Sequence, residues 1–209
     1  SVIDHMFEAL FHSTWLVFSS IGTTIFVCMA YSYPICNPAK SFYKTLDQSV
    51  MVLTNSAVFV LEYSVLNTWF SVSFLSFRQH TLYQSVSTIL MYSLMVEGGY
   101  YLYHRIIHLP YFYKSVHAKH HLHTTVYPLD AFDIEMTDAT QLFLCILYPT
   151  YLLPMTSIEH SIVLYSYLVS IFLSHSSILW THHIQHHRTS KHNFCLIVPI
   201  FDIIFDTYK

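Results

Sequence analysis

The chain has 209 residues, 54% of them hydrophobic and only 10% charged, and its net charge is −3. Soluble domains carry about 25% charged residues, so this composition, with a mean hydropathy of +0.43, argues against a soluble domain and for a compact helical membrane protein. The small negative charge gives no footprint for nucleic acid. Cys28, Cys36, Cys145 and Cys195 show neither CxxC spacing nor the pattern of a disulfide framework.

From Ala9 to Ala39 no residue is charged, which predicts a first membrane span of about 20 residues ending near Pro34. The run is long enough to span and lacks a basic leader, so it reads as an anchor rather than a cleavable signal. A start at Ser1 leaves room for an earlier segment. Lys40 and Lys44 mark a short polar loop. Gln48 to Phe77 holds one charge, Glu62, and reads as one long span or a bent pair of half-spans, with Glu62 facing the protein interior. After Arg78, residues Gln79 to Val96 form a third span that runs into Glu97-Gly98-Gly99. The two glycines suit a kink, a close approach to a lipid chain, or helix packing through small residues. Ala139 to Ile158 is a fourth uncharged stretch, with Pro149 placed to kink it and Pro154 to end it. A fifth span from Glu159 to about Thr181 would close an antiparallel hairpin. The 17 tyrosines and 16 phenylalanines suit interfacial belts.

Five spans put Lys40, Lys44, Arg105, Lys114, Lys119, Arg188, Lys191 and Lys209 on one side and Arg78 alone on the other. That asymmetry predicts that the basic side faces the cytosol. His5 and His160 then fall on the far side and are expected to be dispensable.

Twelve of the sixteen histidines fall into two blocks. The first holds His104, His108, His117, His120, His121 and His123. The second holds His175, His182, His183, His186, His187 and His192. The spacings HxxxH, HxxHH and HxxHH supply eight imidazoles, too many for one tetrahedral zinc and about right for two metals side by side. Neutral imidazole is the commonest side-chain metal ligand. Helical spacing predicts that His104 and His108 share a face, that His117 shares one with His120 and His121, and that His183 shares one with His186 and His187. The HxxHH register favours His183 over His182. Interfacial histidines that merely wet helix ends are the bland alternative. No Glu-x-x-His occurs, so an all-imidazole or nearly all-imidazole site fits better than the carboxylate sites of soluble bundles.

Asp130, Asp133, Glu135 and Asp138 cluster before the fourth span. Some could hold a ligand N–H, but Asp138 reads first as the N-cap of that span. Cys195 reads as a bystander near the second block.

These residues resemble the sterol desaturase and fatty acid hydroxylase superfamily of integral-membrane di-iron enzymes. The likeness runs from about Glu97 to Tyr208. It rests on Tyr103-His104-Arg105, Leu109-Pro110, Tyr113-Lys114 and His117-Ala118-Lys119-His120-His121, with Phe201-Asp202 and Phe205-Asp206-Thr207 as the closing segment. The family usually has Gly at the position of Asp206 and Asn-Phe-Gly or Asn-Tyr-Gly where this chain has Asn193-Phe194-Cys195. A histidine often seen in the region Ala131 to Glu135 is absent.

The resemblance implies an all-α, polytopic membrane bundle with a cytosolic histidine-rich metal cap. Residues 1–96 would be the N-terminal transmembrane region and 97–209 the catalytic region of one structural domain. It further implies a lipid hydroxylase or desaturase acting on a sterol or fatty acyl chain, with two Fe ions, dioxygen and electrons from a cytochrome b-type or reductase partner. The expected home is the endoplasmic reticulum membrane. The eight motif histidines are the expected catalytic and metal ligands, and His175, whose His-Ser pair resembles a family histidine, is a ninth metal ligand. Asp202 and Asp206 take a structural closing role. A histidine-rich metal transporter or store and a non-catalytic relative are the alternatives; transport is disfavoured because mid-span carboxylates are nearly absent.

Overall fold

The computed structural model describes residues 2–69 and 79–209. Regular structure among them is entirely helical: α1 (Val2–Ala30), α2 (Phe42–Trp69), α3 (Leu82–Ile107), α4 (Pro110–Phe112), α5 (Met136–Leu152), α6 (Ser157–Leu173), α7 (His182–Thr189) and α8 (Ile200–Ile204). The end of the second predicted span at Phe77, and Arg78, lie outside the described residues. α1 packs on α2 and α6, α2 on α5, and α3 on α5.

Each long helix buries one stripe. In α3, Tyr92, Val96 and Tyr100 follow one another at four-residue spacing on the inner face, and His104 is the next residue of that stripe. In α5 the stripe starts with Asp138 and continues through Leu142 and Ile146. In α6 it runs through Leu164, Leu168 and Phe172, flanked by Val163, Tyr167 and Ile171. α3 and α6 both begin with capping boxes, Thr81 with Gln84 and Thr156 with Glu159. The two glycines serve packing: a Cβ on Gly98 would stand 3.0 Å from the Phe201 ring, and one on Gly99 would stand 3.1 Å from Tyr148. α3 continues helical through both residues.

Among the described residues two helices, α1 and α2, are long and apolar enough to cross a membrane. Their outward faces carry Phe11, Phe18, Phe26 and Trp69, all exposed, an apolar surface of the kind that marks contact with lipid or partner. The five full spans predicted from the sequence are not reached. α5 and α6 have 17 residues each, a rise of about 25 Å against a hydrocarbon core of about 30 Å. α5 stops at Leu152, and α6 ends at Leu173, well before Thr181. Pro149 is accommodated inside the last turn of α5, and Pro154 follows the helix end as expected.

At one end of the bundle His12 joins three helices. Its Nδ1 is 2.7 Å from the Tyr63 hydroxyl and its Nε2 is 2.9 Å from Ser161 Oγ. His160 is buried there, its ring 6.0 Å from His12 and 5.6 Å from Tyr63. His160 lies at the far end as expected but is a packed core residue, whereas His5 is exposed on α1. Glu62 is half-buried nearby on α2, and one of its carboxyl oxygens has no hydrogen-bond partner.

At the other end the α1–α2 loop meets the segment before α5. Lys40 Nζ and Gln48 Nε2 both donate to Asp130, at 3.0 and 2.6 Å, and Asp130 also accepts the Tyr127 backbone N–H. The basic loop and both histidine blocks therefore share one end of the bundle.

Candidate metal centre

The inner stripe of α3 delivers His104, and His108 follows as the C-cap of the same helix. After Pro110 the chain does not resume a regular α-helix. Tyr113–His117 forms a π-helical turn and His120–Leu122 a 3-10 turn. The first HxxHH motif thus does not present one helical face, contrary to the sequence expectation. The second lies on α7, a helix as expected, but its histidines divide between two groups and do not share one face. His175 stands just past α6, where its Nδ1 donates to the Ile171 carbonyl at 3.0 Å.

Nine imidazoles converge into two adjoining groups. One holds His104, His108, His117, His121 and His186, and the other holds His120, His175, His183 and His187, with the ligand atoms of each group within 4.8 Å of one another. These nine are the metal ligands expected from the sequence. Each HxxHH motif is divided between the groups: His117 and His121 go to the first and His120 to the second, while His186 goes to the first and His183 and His187 to the second. Adjacent histidines on a helical turn point about 100° apart, so an HH pair reaches two centres where a lone histidine reaches one. His182 is buried but belongs to neither group. His123 and His192 are also outside, though His192 supplies a carbonyl to the site.

The outer nitrogens fix the inner ones. His104 Nδ1 donates to the Phe194 carbonyl at 2.8 Å, His117 Nδ1 to Asp138 at 2.6 Å, and His186 Nδ1 to the His192 carbonyl at 2.7 Å. In a neutral imidazole with the proton on Nδ1, Nε2 carries a bare lone pair. Yet His104 Nε2 and His117 Nε2 face each other at 3.1 Å, and His186 Nε2 lies 3.1 Å from the Nε2 atoms of both His108 and His121. Two bare acceptors cannot hydrogen-bond to each other, but they can share a cation. Nitrogens each about 2.1 Å from one ion stand about 3.0–3.4 Å apart for bond angles between square and tetrahedral. In the second group His120 Nε2 is 3.3 Å from His175 Nε2. Both ring nitrogens of His183 and of His187 are buried there with no hydrogen-bond partner. Each such orphan costs about 1–3 kcal/mol, a cost that a bound cation would offset. The residues fit a pair of metal ions.

The electrostatics agree. Burial first, and the neighbouring imidazoles second, hold His120, His183, His186 and His187 well below the usual histidine pKa. Burial and the His117 ring bring His108 to about 3, and burial with several neighbouring rings brings His121 to about 2. At neutral pH these side chains are uncharged, the form that binds metal.

Asp138 is not an N-cap. It is buried in the first turn of α5, whose cap position is Glu135 with no side-chain cap bond. Its carboxylate accepts from His117 Nδ1 on one oxygen and from the Tyr103 hydroxyl, at 2.7 Å, on the other. Asp133 instead lies beside Lys119, at 3.6 Å. Glu97, passed over in the sequence, is buried and accepts the backbone N–H groups of Leu196, Ile197 and Val198 at 2.9–3.1 Å. It ties α3 to the strip that follows α7. Asp202 does the same from α8, accepting the N–H groups of Phe194 and Cys195 at 2.7 Å each. Together these carboxylates fix the backbone whose carbonyl at Phe194 orients His104. Cys195 is buried with its thiol outside both groups.

A fatty acid hydroxylase family profile matches residues 89–207, more than half of the chain. The chain belongs to the fatty acid hydroxylase family. No curated protein and no solved structure matches it. One departure from the family pattern has a local explanation. Asp206 adopts a φ of 54°, the left-handed region where glycine is at ease and Asp is tolerated better than most residues. Asn193 also sits there, with a φ of 61°, whereas Cys195 does not, so its position does not need glycine.

Beside the histidines runs a narrow cavity of about 10 Å³. It touches His117 of the first group and His120, His175 and His183 of the second, and its other walls include Leu142, Ile171 and Leu196. On the outer side of Tyr103 lies a wider apolar groove of about 470 Å³ between the end of α3 and the start of α5, with Ile106, Ile107, Phe112 and Met136 in its walls.

Proposed function

We propose that this protein is a membrane-bound di-iron oxidoreductase that hydroxylates or desaturates a lipid, a sterol or a fatty acyl chain, with dioxygen. One observation carries the reading: two adjoining imidazole groups with bare nitrogens turned inward, in a chain of the fatty acid hydroxylase family. Bound iron would supply reductive activation of dioxygen at these nitrogens. For hydroxylation the balance is R–H plus dioxygen plus two electrons and two protons, giving R–OH and water. The electrons would come from a cytochrome b-type or reductase partner. His104, His108, His117, His121 and His186 would hold one ion, and His120, His175, His183 and His187 the other. Asp138, Ile171 and the carbonyls of Phe194 and His192 keep the ligand nitrogens unprotonated on the inner side. Leu142, Ile171 and Leu196 make the wall of the small cavity beside the histidines apolar. The groove beside Tyr103 supports approach of a lipid from the bundle's flank.

In this reading residues 1–96 anchor the chain, α1, α2 and α3 with the hairpin of α5 and α6 make up the polytopic bundle, and the histidine-rich cap lies on the cytosolic face of the endoplasmic reticulum. Single cysteines at Ser157 and Ser190, in a background without the four native thiols, test the orientation. Labelling from opposite sides of sealed membranes is expected, with Ser190 cytosolic; labelling from the same side would sink it.

Protein purified from metal-replete cells is expected to hold two metal ions per chain by elemental analysis. Zinc would compete well in a recombinant sample, because imidazole sites accept several divalent ions. At most one ion per chain would overturn the paired centre. Two ions with no oxidised lipid under any donor would turn the reading toward metal storage.

A further inference from the structure

The α1–α2 loop, the start of α2 and the segments around Lys119 and Asp133 enclose a cavity of about 630 Å³. That volume lies within the range of small-molecule sites, ~300–1,000 Å³. Its walls carry both signs of charge, Lys40, Lys44 and Lys119 against Asp47 and Asp133, with Gln48 among them. No histidine of either group lines it. The strip from Asp130 to Ile134 is the partition: Asp133 lines this cavity, whereas Ala131 and Ile134 line the small one beside the histidines.

The polar groups of these walls do not all satisfy one another. Lys40 Nζ lies 3.0 Å from Asp130 and 3.9 Å from Asp133, and Lys119 Nζ lies 3.6 Å from Asp133. Lys44 and Asp47, both exposed near the start of α2, form no ion pair among the described residues. Gln48 is 2% exposed; its Nε2 donates to Asp130, and its Oε1 has no hydrogen-bond partner. An unpaired lysine, an unpaired aspartate and an unpaired amide oxygen suit a ligand that carries an anion and an N–H donor together. The place of the cavity suits a lipid head. Its walls include the loop that joins the two apolar helices α1 and α2. Phe42 and Tyr43, between Ser41 and Lys44 of the wall, are 76% and 77% exposed, as aromatic side chains at headgroup level are. Met51 and Leu122 add apolar surface where acyl chains would begin.

We infer that this cavity binds the phosphoethanolamine head of a membrane phospholipid, with the phosphate held by Lys44 and Lys119 and the ammonium by Asp47 and Gln48. A primary ammonium has three N–H donors, enough for both the Asp47 carboxylate and the Gln48 oxygen. A choline head has none, and a phosphatidic acid head leaves Asp47 facing an anion. The lipid held here is not the one oxidised, because the strip from Asp130 to Ile134 separates it from the histidine cavity. It touches the metal centre only through that strip and through Lys119, the residue before His120. The inference stands whether or not the protein oxidises lipid.

The full chain, delipidated in a neutral detergent, is mixed with phosphatidylethanolamine, phosphatidylcholine or phosphatidic acid of the same acyl chains, and bound lipid is counted by native mass spectrometry. One phosphatidylethanolamine per chain is expected, retained at least about tenfold over phosphatidylcholine, the worth of one charge-assisted hydrogen bond. Asp47→Asn should lose that preference while keeping both lipids, and Lys44→Ala should weaken both alike. Metal content and thermal stability should be unchanged in both variants, since each side chain is exposed. Equal retention of the two zwitterionic lipids by the parent would overturn the inference, and so would retention of neither. A preference for phosphatidic acid would mark a plain anion site and overturn it as well. So would an Asp47→Asn variant that keeps the preference for the ethanolamine head. Displacement of the lipid by an equal concentration of free phosphoethanolamine would mark a site for a soluble ligand and sink the lipid assignment.

Discussion

Substituting His186→Ala or His120→Ala should each abolish lipid oxidation. The two residues are 66 positions apart and belong to different groups, so a shared outcome is expected only if both groups serve one reaction. His186 Nε2 is within 3.1 Å of two other ligand nitrogens, and its removal opens the middle of the first group. His120 is the only residue of the first HxxHH motif in the second group. Loss of a direct ligand should exceed the ~10–100-fold cost of losing an outer hydrogen-bond partner. Product formed in membranes, normalised to protein level, is the measurement, with metal content read alongside. His5→Ala is the control expected to be silent. His160→Ala is not a control, because it empties a packed position between α1, α2 and α6. Retained activity in both motif variants would remove the catalytic reading.

Asp138→Asn is the second large effect. The carboxylate receives the His117 N–H and the Tyr103 hydroxyl on its two oxygens. An amide of the same shape loses the charge and keeps one acceptor oxygen, so the His117 N–H is held by a weaker, uncharged partner. A drop of about 10–100-fold in metal affinity or in turnover is expected. Tyr103→Phe should cost less, because it leaves the His117 bond in place. A structural role alone would lower thermal stability without changing metal affinity, so competition against a chelator decides between the two. Unchanged affinity and turnover in Asp138→Asn would show that the pair does not position His117.

The clustering was legible because doubled HxxHH spacing is a metal-site pattern, and all nine residues expected as ligands converge. The way they divide was not legible. Assigning each motif to one helical face treated the first HxxHH as α-helix, whereas Pro110 and the π and 3-10 turns after it give His117, His120 and His121 different directions. The reading of Asp138 as a cap followed from its place at the start of a helix. A better signal was available: Asp138 is in phase with Leu142 and Ile146, so it lies on the buried stripe, where an ionisable group needs a partner. Glu97 could have been read the same way, one residue past Val96 on the inner side of α3. Its partners could not, since they are backbone groups about a hundred residues away. α5 and α6 are shorter than their predicted spans because uncharged runs include turns; they give up their ends to Pro154 and to the irregular segment from Ser174 to Thr181.

The division of each motif also sets an order on biosynthesis. The chain emerges N-terminus first. His104, His108, His117 and His121 are all present before α5 is made, so the first group can collect four of its five imidazoles early. The second has only His120 until α6 is complete, and it gains His183 and His187 only when α7 has emerged. If the two groups hold metal as proposed, an ion captured during synthesis would meet the first group before the second, which is complete only once nearly the whole chain has emerged. Truncation before His182 would take His186 from the first group and His183 and His187 from the second, leaving neither complete.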